Sequence, residues 1–402
     1  MAITEATVAF SEDDLRRIQM ALRGAELDGW LLYDFHGSNP VAAAVLGLPP
    51  LTRRYFVLIP ASGAPVALTH RIEQQPWQGW IGEQRVYLSW RDLEHELGEM
   101  LRGRGRIAME YSPGDGVPYL DRTPAGVLEM VRASGVEVTP SGELVSAFYA
   151  RWSEAGEASH RRAAVALREI AMAAMRRIGE RHGAGEVITE GELRAWIQAE
   201  QERRGCGVGN DAIVAIGPNA ANPHYAPSRK GSAPISPGDV VLVDLWAKEA
   251  EDAVFADQTW MGYVGDSPSD RLQRIWAAVR DARDAAIAAL RSGWNEGRAV
   301  QGCELDDVAR EVIRDRGWGE HFIHRTGHSI DRELHGSGPN LDNLESRDSR
   351  RLIQGVGFSV EPGIYLPHDV GMRSEVNVFI GSEGPEITTP DPQRELLSIP
   401  TS

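Results

Sequence analysis

The sequence predicts a two-domain α/β (α+β) protein, and three observations predict it. A chain of 402 residues exceeds one ordinary domain and can bury two cores. Up to about residue 150, short apolar strands alternate with helical stretches, the mark of an α/β layer. Beyond it, a long helical run gives way to strands that carry carboxylates inside them or at their ends. The expected domains are residues 1–152 and 153–402.

The elements follow in order. Ser11-Glu12-Asp13-Asp14 is a capping signal, with Leu15, Ile18 and Leu22 then at helical spacing. Trp30-Leu31-Leu32-Tyr33 reads as a buried strand. Tyr55 to Ile59 and Pro65 to Leu68 read as two more, split by the turn Ala61-Ser62-Gly63-Ala64. Leu93 to Leu101 is helical and Arg106 to Met109 a strand. Thr123-Pro124 predicts a cap and a proline at the first helical position, with Gly135 as the stop before a short strand at 136–138. A long helix is expected from Glu154 to His182. Thr189 with Glu192 makes a capping box for a helix ending near Arg203. Strands are expected at 211–216 and 240–244, helices near 269–291 and 304–316, and strands again at 357–361 and 375–379. No short-period repeat interrupts the chain.

Composition excludes several partners. The formal charge of −16, with no Lys/Arg-rich block, argues against nucleic acid. Cys206 and Cys303 stand far apart and match no CxxC spacing, which points to a reducing cytoplasm. Met1-Ala2-Ile3-Thr4-Glu5 runs into acidic residues and lacks the basic and apolar regions of a secretory signal. No apolar run approaches the roughly 20 residues that span a bilayer, so no membrane partner is expected.

The chemistry concentrates around His324, His328 and His335, four and then seven positions apart. Asp244 and Asp257 precede them; Glu361 and Glu375 follow. Each has a bland reading alone. A strand-end Asp is usually a cap or turn residue, and a lone His is usually a satisfied structural group. Glu361 and Glu375 lie in strand-like apolar runs, where a buried carboxylate is costly unless paired or metal-bound. As an ordered set, four carboxylates and one His can converge on one face of a sheet. Hard oxygen ligands with one imidazole suit Mn2+, Co2+ or Zn2+. Bridging carboxylates can hold two such ions about 3.5–4 Å apart, where they activate a water and polarise a carbonyl.

With these residues in place, positions from about 155 to 390 resemble the pita-bread metallopeptidase family, which includes methionine aminopeptidase, aminopeptidase P and prolidase. Glu361-Pro362-Gly363-Ile364-Tyr365 and Gly371-Met372-Arg373-Ser374-Glu375 are the specific matches. The resemblance implies a C-terminal pita-bread domain with two divalent ions per chain, Mn2+ foremost, then Co2+ or Zn2+. It implies as ligands Asp244, Asp257, His328, Glu361 and Glu375. The first Asp holds one ion, the second Asp and last Glu bridge, and His328 with Glu361 holds the other. Glu361 is then also the general base. Asn222-Pro223-His224-Tyr225, His324 and His335 resemble the X-Pro-cleaving branch. Its pattern places His224 and His335 at the transition state and His324 along the proline side. Thr259 resembles a hydroxyl that orients a bridging ligand. Arg373 resembles the arginine beside the last Glu, with a substrate carboxylate as its alternative partner. Residues 1–152 resemble more weakly the creatinase-like accessory α/β domain, which covers the cleft and takes part in dimerisation.

The chain departs from the family pattern in several places. Asp244 and Asp257 are separated by a longer hairpin, in which Asp252 rivals Asp257 as a ligand. Trp260 stands where arginine is usual. Asp331 stands where glycine is usual and is a possible contact for a substrate amine. Arg325 is either a partner for a free substrate carboxylate or a surface charge. The expected function is dinuclear-metal X-Pro peptidase, with dipeptides preferred and a homodimer implied. The alternatives are aminopeptidase P acting on longer peptides, a creatinase-like small-amide hydrolase, and a non-catalytic binding protein. Creatinase lacks the full ligand set, and non-catalytic relatives typically lose ligands; this chain keeps all five.

Overall fold

The computed structural model describes residues 7–228 and 230–401. The Met1–Glu5 stretch, read for a secretory signal, lies outside the described residues. The chain falls into two compact units, up to Tyr149 and from Ala150 on. Trp152 packs with the second unit: its backbone N–H donates to Gly355 (2.8 Å) and its indole N–H to the Ile330 carbonyl (2.7 Å).

In the first unit, six strands form one sheet: β1 (Gly29–Asp34), β2 (Tyr55–Pro60), β3 (Val66–His70), β4 (Glu83–Tyr87), β5 (Arg106–Met109) and β6 (Glu137–Pro140), in the order β4-β3-β2-β1-β5-β6. Both faces are covered, so the central strands β1 and β2 are buried at every position rather than at alternate ones. Trp30, Leu32, Val57 and Ile59 share one core with the helices Glu12–Gly24 and Pro40–Leu46. Leu31, Tyr33, Phe56 and Leu58 share the other with Trp90–Leu101 and Ala125–Ala133. Ser11 and Asp14 form the expected capping box. The expected cap at Thr123 is not formed: Pro124 takes the N-cap position, and the buried Thr123 hydroxyl has no hydrogen-bond partner among the described residues.

The second unit is built on β7 (Val208–Ile216), β8 (Val240–Lys248) and β9 (Ala256–Val264), which pair antiparallel in turn. A second sheet contains β10 (Ser329–Ile330), β11 (Gly357–Val360), β14 (Val376–Gly381) and β15 (Gly384–Ile387). Between them in sequence lies the hairpin β12 (Gly363–Leu366) and β13 (Val370–Arg373), and β16 (Leu397–Ile399) joins the edge of β9. Strand alternation sorts β8 and β9 into two faces. Val241, Val243, Leu245 and Trp260 pack against the helix Glu154–Gly183, whose Ala163, Leu167 and Ile170 are fully buried. Leu242 and Met261 face the opposite core, with Phe358, Val360, Met372 and Val378 and the helices Asp270–Asn295 and Gly302–Asp315. The site grows on that second face. Among the described residues, no helix is long and apolar enough to cross a membrane.

Candidate metal centre

Register decides where the two aspartates go. Asp244 pairs with Thr259, and Trp246 with Asp257. Cross-strand partners share a face, so Asp244, Asp257 and Thr259 all continue the row of Leu242 and Met261. The pairing runs unbroken from Val240–Tyr263 to Ala247–Ala256, so the extra hairpin residues stay in the turn. Asp252 is exposed in that turn, apart from the set. Trp260 belongs to the opposite face, where its indole donates to Gln258 (3.0 Å); the substitution at this position does not face the site.

The other carboxylates lie one step outside their strands. Glu361 follows β11 and Glu375 precedes β14, where it bridges to Thr259. His328 precedes β10 and runs alongside β11. Its backbone N–H donates to the Ser359 hydroxyl (3.0 Å), and the Ser359 N–H donates to its carbonyl (2.8 Å). Gly327 lets this approach occur, because a Cβ there would stand 2.0 Å from the Ser359 carbonyl oxygen.

The five side chains converge. The His328 Nε2 lies 3.5 Å from Asp257 Oδ2 and 3.4 Å from Glu361 Oε1. One donor atom each of Asp257, His328 and Glu375 falls within 4.8 Å of the others. The Thr259 hydroxyl donates to Glu375 Oε2 (2.9 Å) and accepts from Arg373 Nε (2.9 Å). Arg373 also pairs with Asp244 and lies 3.9 Å from Glu361 Oε2. Two positions that sequence reasoning passed over complete the frame. Asn377 accepts the Asp257 N–H (2.9 Å), and Tyr365 joins His324 to Arg373. A polar residue inside a buried apolar strand was the available signal for Ser359 and Asn377.

Electrostatics separate the carboxylates. Burial pushes Asp244 up to about 7 against the pull of Arg373. Burial raises Asp257, with His328 opposing. Burial, then the neighbouring Asp257, Glu361 and Asp244, hold Glu375 well above the usual range. At Glu361 burial is outweighed by His328, His324, Arg373 and Arg325, so its carboxyl sits below the usual range. Among the described residues, the buried oxygens Asp244 Oδ1, Asp257 Oδ1 and Glu375 Oε1 have no hydrogen-bond partner. Leaving a buried charged acceptor unmatched costs several kcal/mol, roughly 1–3 or more each. The donor set of four carboxylates and one imidazole therefore fits divalent cations.

The outer residues divide. His224 and His335 are exposed, and the His335 ring lies edge-on to His328 with centroids 4.4 Å apart. His324 has both ring nitrogens engaged, Nδ1 with the Arg325 carbonyl (2.7 Å) and Nε2 with the Tyr365 hydroxyl (2.8 Å). A carbonyl only accepts, so Nδ1 carries the proton and Tyr365 donates to Nε2. Burial pushes His324 down to about 4, which keeps this neutral tautomer. Arg325 is 9% exposed, which rules out the surface-charge reading. The Asp331 oxygens accept the N–H groups of Glu333 (2.7 Å) and Ser337 (3.1 Å), so the carboxylate is committed to its own loop rather than presented to a substrate.

Residues 157–382 match the pattern of metallopeptidase family M24. The chain belongs to metallopeptidase family M24. Within it, the chain is 38% identical over 173 residues to an Xaa-Pro dipeptidase of Lactobacillus delbrueckii subsp. lactis, covering 41% of this chain and 40% of that protein. It is 33% identical over 217 residues to an Xaa-Pro dipeptidase of Pyrococcus furiosus, covering 53% and 58%. The chain thus matches 40% to 58% of the length of these two relatives. A dipeptidase from Mycobacterium ulcerans shares the fold with a TM-score of 0.72 at 24% identity, covering 96% of this chain and 97% of that one. The prolidase of Pyrococcus horikoshii does so at 0.63 and 23%, covering 96% and 100%. The M24 unit has the expected pita-bread fold.

Proposed function

We propose that this M24 protein hydrolyses the bond between a first residue and a proline in second position, acting on X-Pro dipeptides. The observation that carries the reading is the convergence of Asp244, Asp257, His328, Glu361 and Glu375, with three buried carboxylate oxygens unmatched among the described residues. Asp244, Asp257, His328, Glu361 and Glu375 would together hold two divalent ions; Mn2+ is the ion we favour over Co2+ or Zn2+. When bound, such ions supply Lewis acidity and lower the pKa of a water in the site.

The chain's own groups supply the rest. Of the four site carboxylates Glu361 alone is held below its usual range, with His328, Arg373 and Arg325 among the groups that outweigh its burial, so it can accept and pass on a proton. Arg373 and Thr259 fix Asp244 and Glu375, and with three partners already Arg373 serves the site's frame rather than a substrate carboxylate. His335 and His224, open to solvent, donate to the substrate backbone and the developing oxyanion. His324 acts through Tyr365 rather than as a free donor. Arg325, near enough to help lower Glu361, is the cation we assign to the carboxylate of a dipeptide. An X-Pro imide has no N–H, so selection by shape and by these contacts replaces recognition of a backbone donor.

The Xaa-Pro dipeptidase relatives support the reading. We assign the unit up to Tyr149 as the accessory domain, the unit from Ala150 on as the catalytic one, and a homodimer as the assembly. Cys206 and Cys303 are both buried free thiols, which supports a cytoplasmic location. The deciding experiment is hydrolysis by metal-stripped protein, with and without Mn2+, of an X-Pro dipeptide and the matching tripeptide. Metal-dependent cleavage of the dipeptide alone is expected. Cleavage of the tripeptide would move the assignment to aminopeptidase P, and cleavage of neither would end the X-Pro reading.

A further inference from the structure

Two of the departures from the family pattern meet in space. The long turn between β8 and β9 leans on the loop that follows His328. Lys248, at the end of β8, is only 5% exposed. Its Nζ donates to the Glu251 carbonyl within the turn (2.8 Å) and to the Arg332 carbonyl across from it (2.7 Å). The ammonium also lies 4.7 Å from the centre of the Phe255 ring, a cation–π distance. From the same turn, the Phe255 N–H donates to the Asp331 carbonyl (3.0 Å).

Asp331 closes the loop from inside. Besides its two side-chain bonds to Glu333 and Ser337, its N–H donates to the Glu333 carbonyl (3.1 Å). Gly336 folds back so that its N–H reaches the Ser329 carbonyl (2.8 Å); a Cβ there would stand 2.6 Å from Asp331 Oδ2. His335 sits between these fixed points. The residue is exposed, and its ring lies edge-on to His328 at the rim of the centre. An exposed side chain on a loop is the part of a site least able to hold its own geometry.

We infer that the lengthened β8–β9 turn and Asp331 together form a brace that sets His335, with Lys248 as the positioning residue that joins them. The inference rests on the X-Pro reading for the role of His335, but the brace itself does not. Desolvating an ammonium is costly unless donors are matched, and here two carbonyls and a ring accept it. A group so placed ties two backbone segments at once, which a surface turn of ordinary length would not do. Asp331 and the turn thus act on the substrate through His335.

Two measurements test this on the metal-loaded full chain. Hydrogen exchange compares wild type, Lys248→Met and Lys248→Arg. Lys248→Met keeps the side-chain volume and loses the donors; we expect the Phe255, Glu333 and Ser337 amides to exchange at least about tenfold faster, with Lys248→Arg restoring most of the protection. Unchanged exchange in Lys248→Met overturns the brace. Kinetics on an X-Pro dipeptide then place Lys248→Met in a double-mutant cycle with His335→Ala. A fall of about tenfold in kcat, with KM nearly constant, is expected in the wild-type background and no further fall in His335→Ala. Additive effects overturn the link to His335. A wild-type chain that cleaves no X-Pro peptide removes the catalytic half of the inference together with the X-Pro reading, while the exchange data decide the brace on their own.

Discussion

Glu361 and Asp257 carry the sharpest predictions at the scale of single residues. If Glu361 is the proton acceptor, Glu361→Gln should lower kcat by about 100- to 10,000-fold, the usual worth of general base catalysis. Turnover within twofold of wild type would remove it from that role. Asp257→Ala should lower the metal content below two ions per chain, measured by elemental analysis, whereas Asp252→Ala should leave both, since that side chain is exposed in the turn. The residues whose parts were legible in sequence are those whose chemistry is unusual for their place: carboxylates among apolar neighbours and histidines at fixed spacing. Tyr365 was visible only as part of a motif, because its work depends on His324 and Arg373 arriving from elsewhere. Trp260, two residues on from Gln258, shares that residue's face and not that of Asp257, a matter of parity along the strand.

Elements show where local signals suffice. Thr189 and Glu192 form their capping box as read, because both partners lie within one turn. Thr189→Ala should therefore cost about 1 kcal/mol in denaturant unfolding. Thr123→Ala should be close to neutral, since that hydroxyl caps nothing. The strand β4 escaped notice because Glu83 to Tyr87 lies at the sheet edge and is mostly polar and exposed. His160 ties the long helix to the hairpin turn, with Nδ1 donating to the Phe255 carbonyl (2.6 Å) and Nε2 accepting from Thr388 (2.7 Å). Burial pushes it down to about 4. The unfolded chain then takes up a proton near 6.5 that the folded one refuses until about 4. Stability should fall as pH drops through that window, by on the order of 3 kcal/mol, and then level off. His160→Gln should flatten this part of the stability-versus-pH curve; an unchanged slope would show that other groups cause it.

For the whole molecule, the centre is a concentration of like charge that the fold carries regardless of loading. In metal-stripped protein, Asp244 and Glu375 have folded pKa values above those of the unfolded chain. Their protonation stabilises the fold at low pH, and that contribution is lost as pH rises through about 7 for Asp244. Divalent ions replace the protons. The gap in unfolding temperature between Mn2+-loaded and metal-stripped protein should therefore widen from pH 5 to pH 8, and calorimetry at both values checks this. A gap that stays constant would mean that the carboxylates are not what the ions neutralise. Most of the succession of strands and helices was readable from apolar patterning, but not the order of strands within each sheet, nor the closing of two sheets and a hairpin around one face, which no local pattern encodes.

The pairing of Asp244 with Thr259 has a corollary for chain length. Side chains along a strand alternate, so the two aspartates meet because of parity, in which the number of residues in the turn beyond them plays no part. The number of residues between Lys248 and Phe255 therefore leaves the facing of the aspartates untouched, and what holds the turn is its contact with the loop after His328. A single-residue deletion inside 241–243 would instead turn Asp244 into the packing against the long helix. The strand is thus constrained by parity and the turn by what it touches, two separate reasons for length to matter in neighbouring stretches.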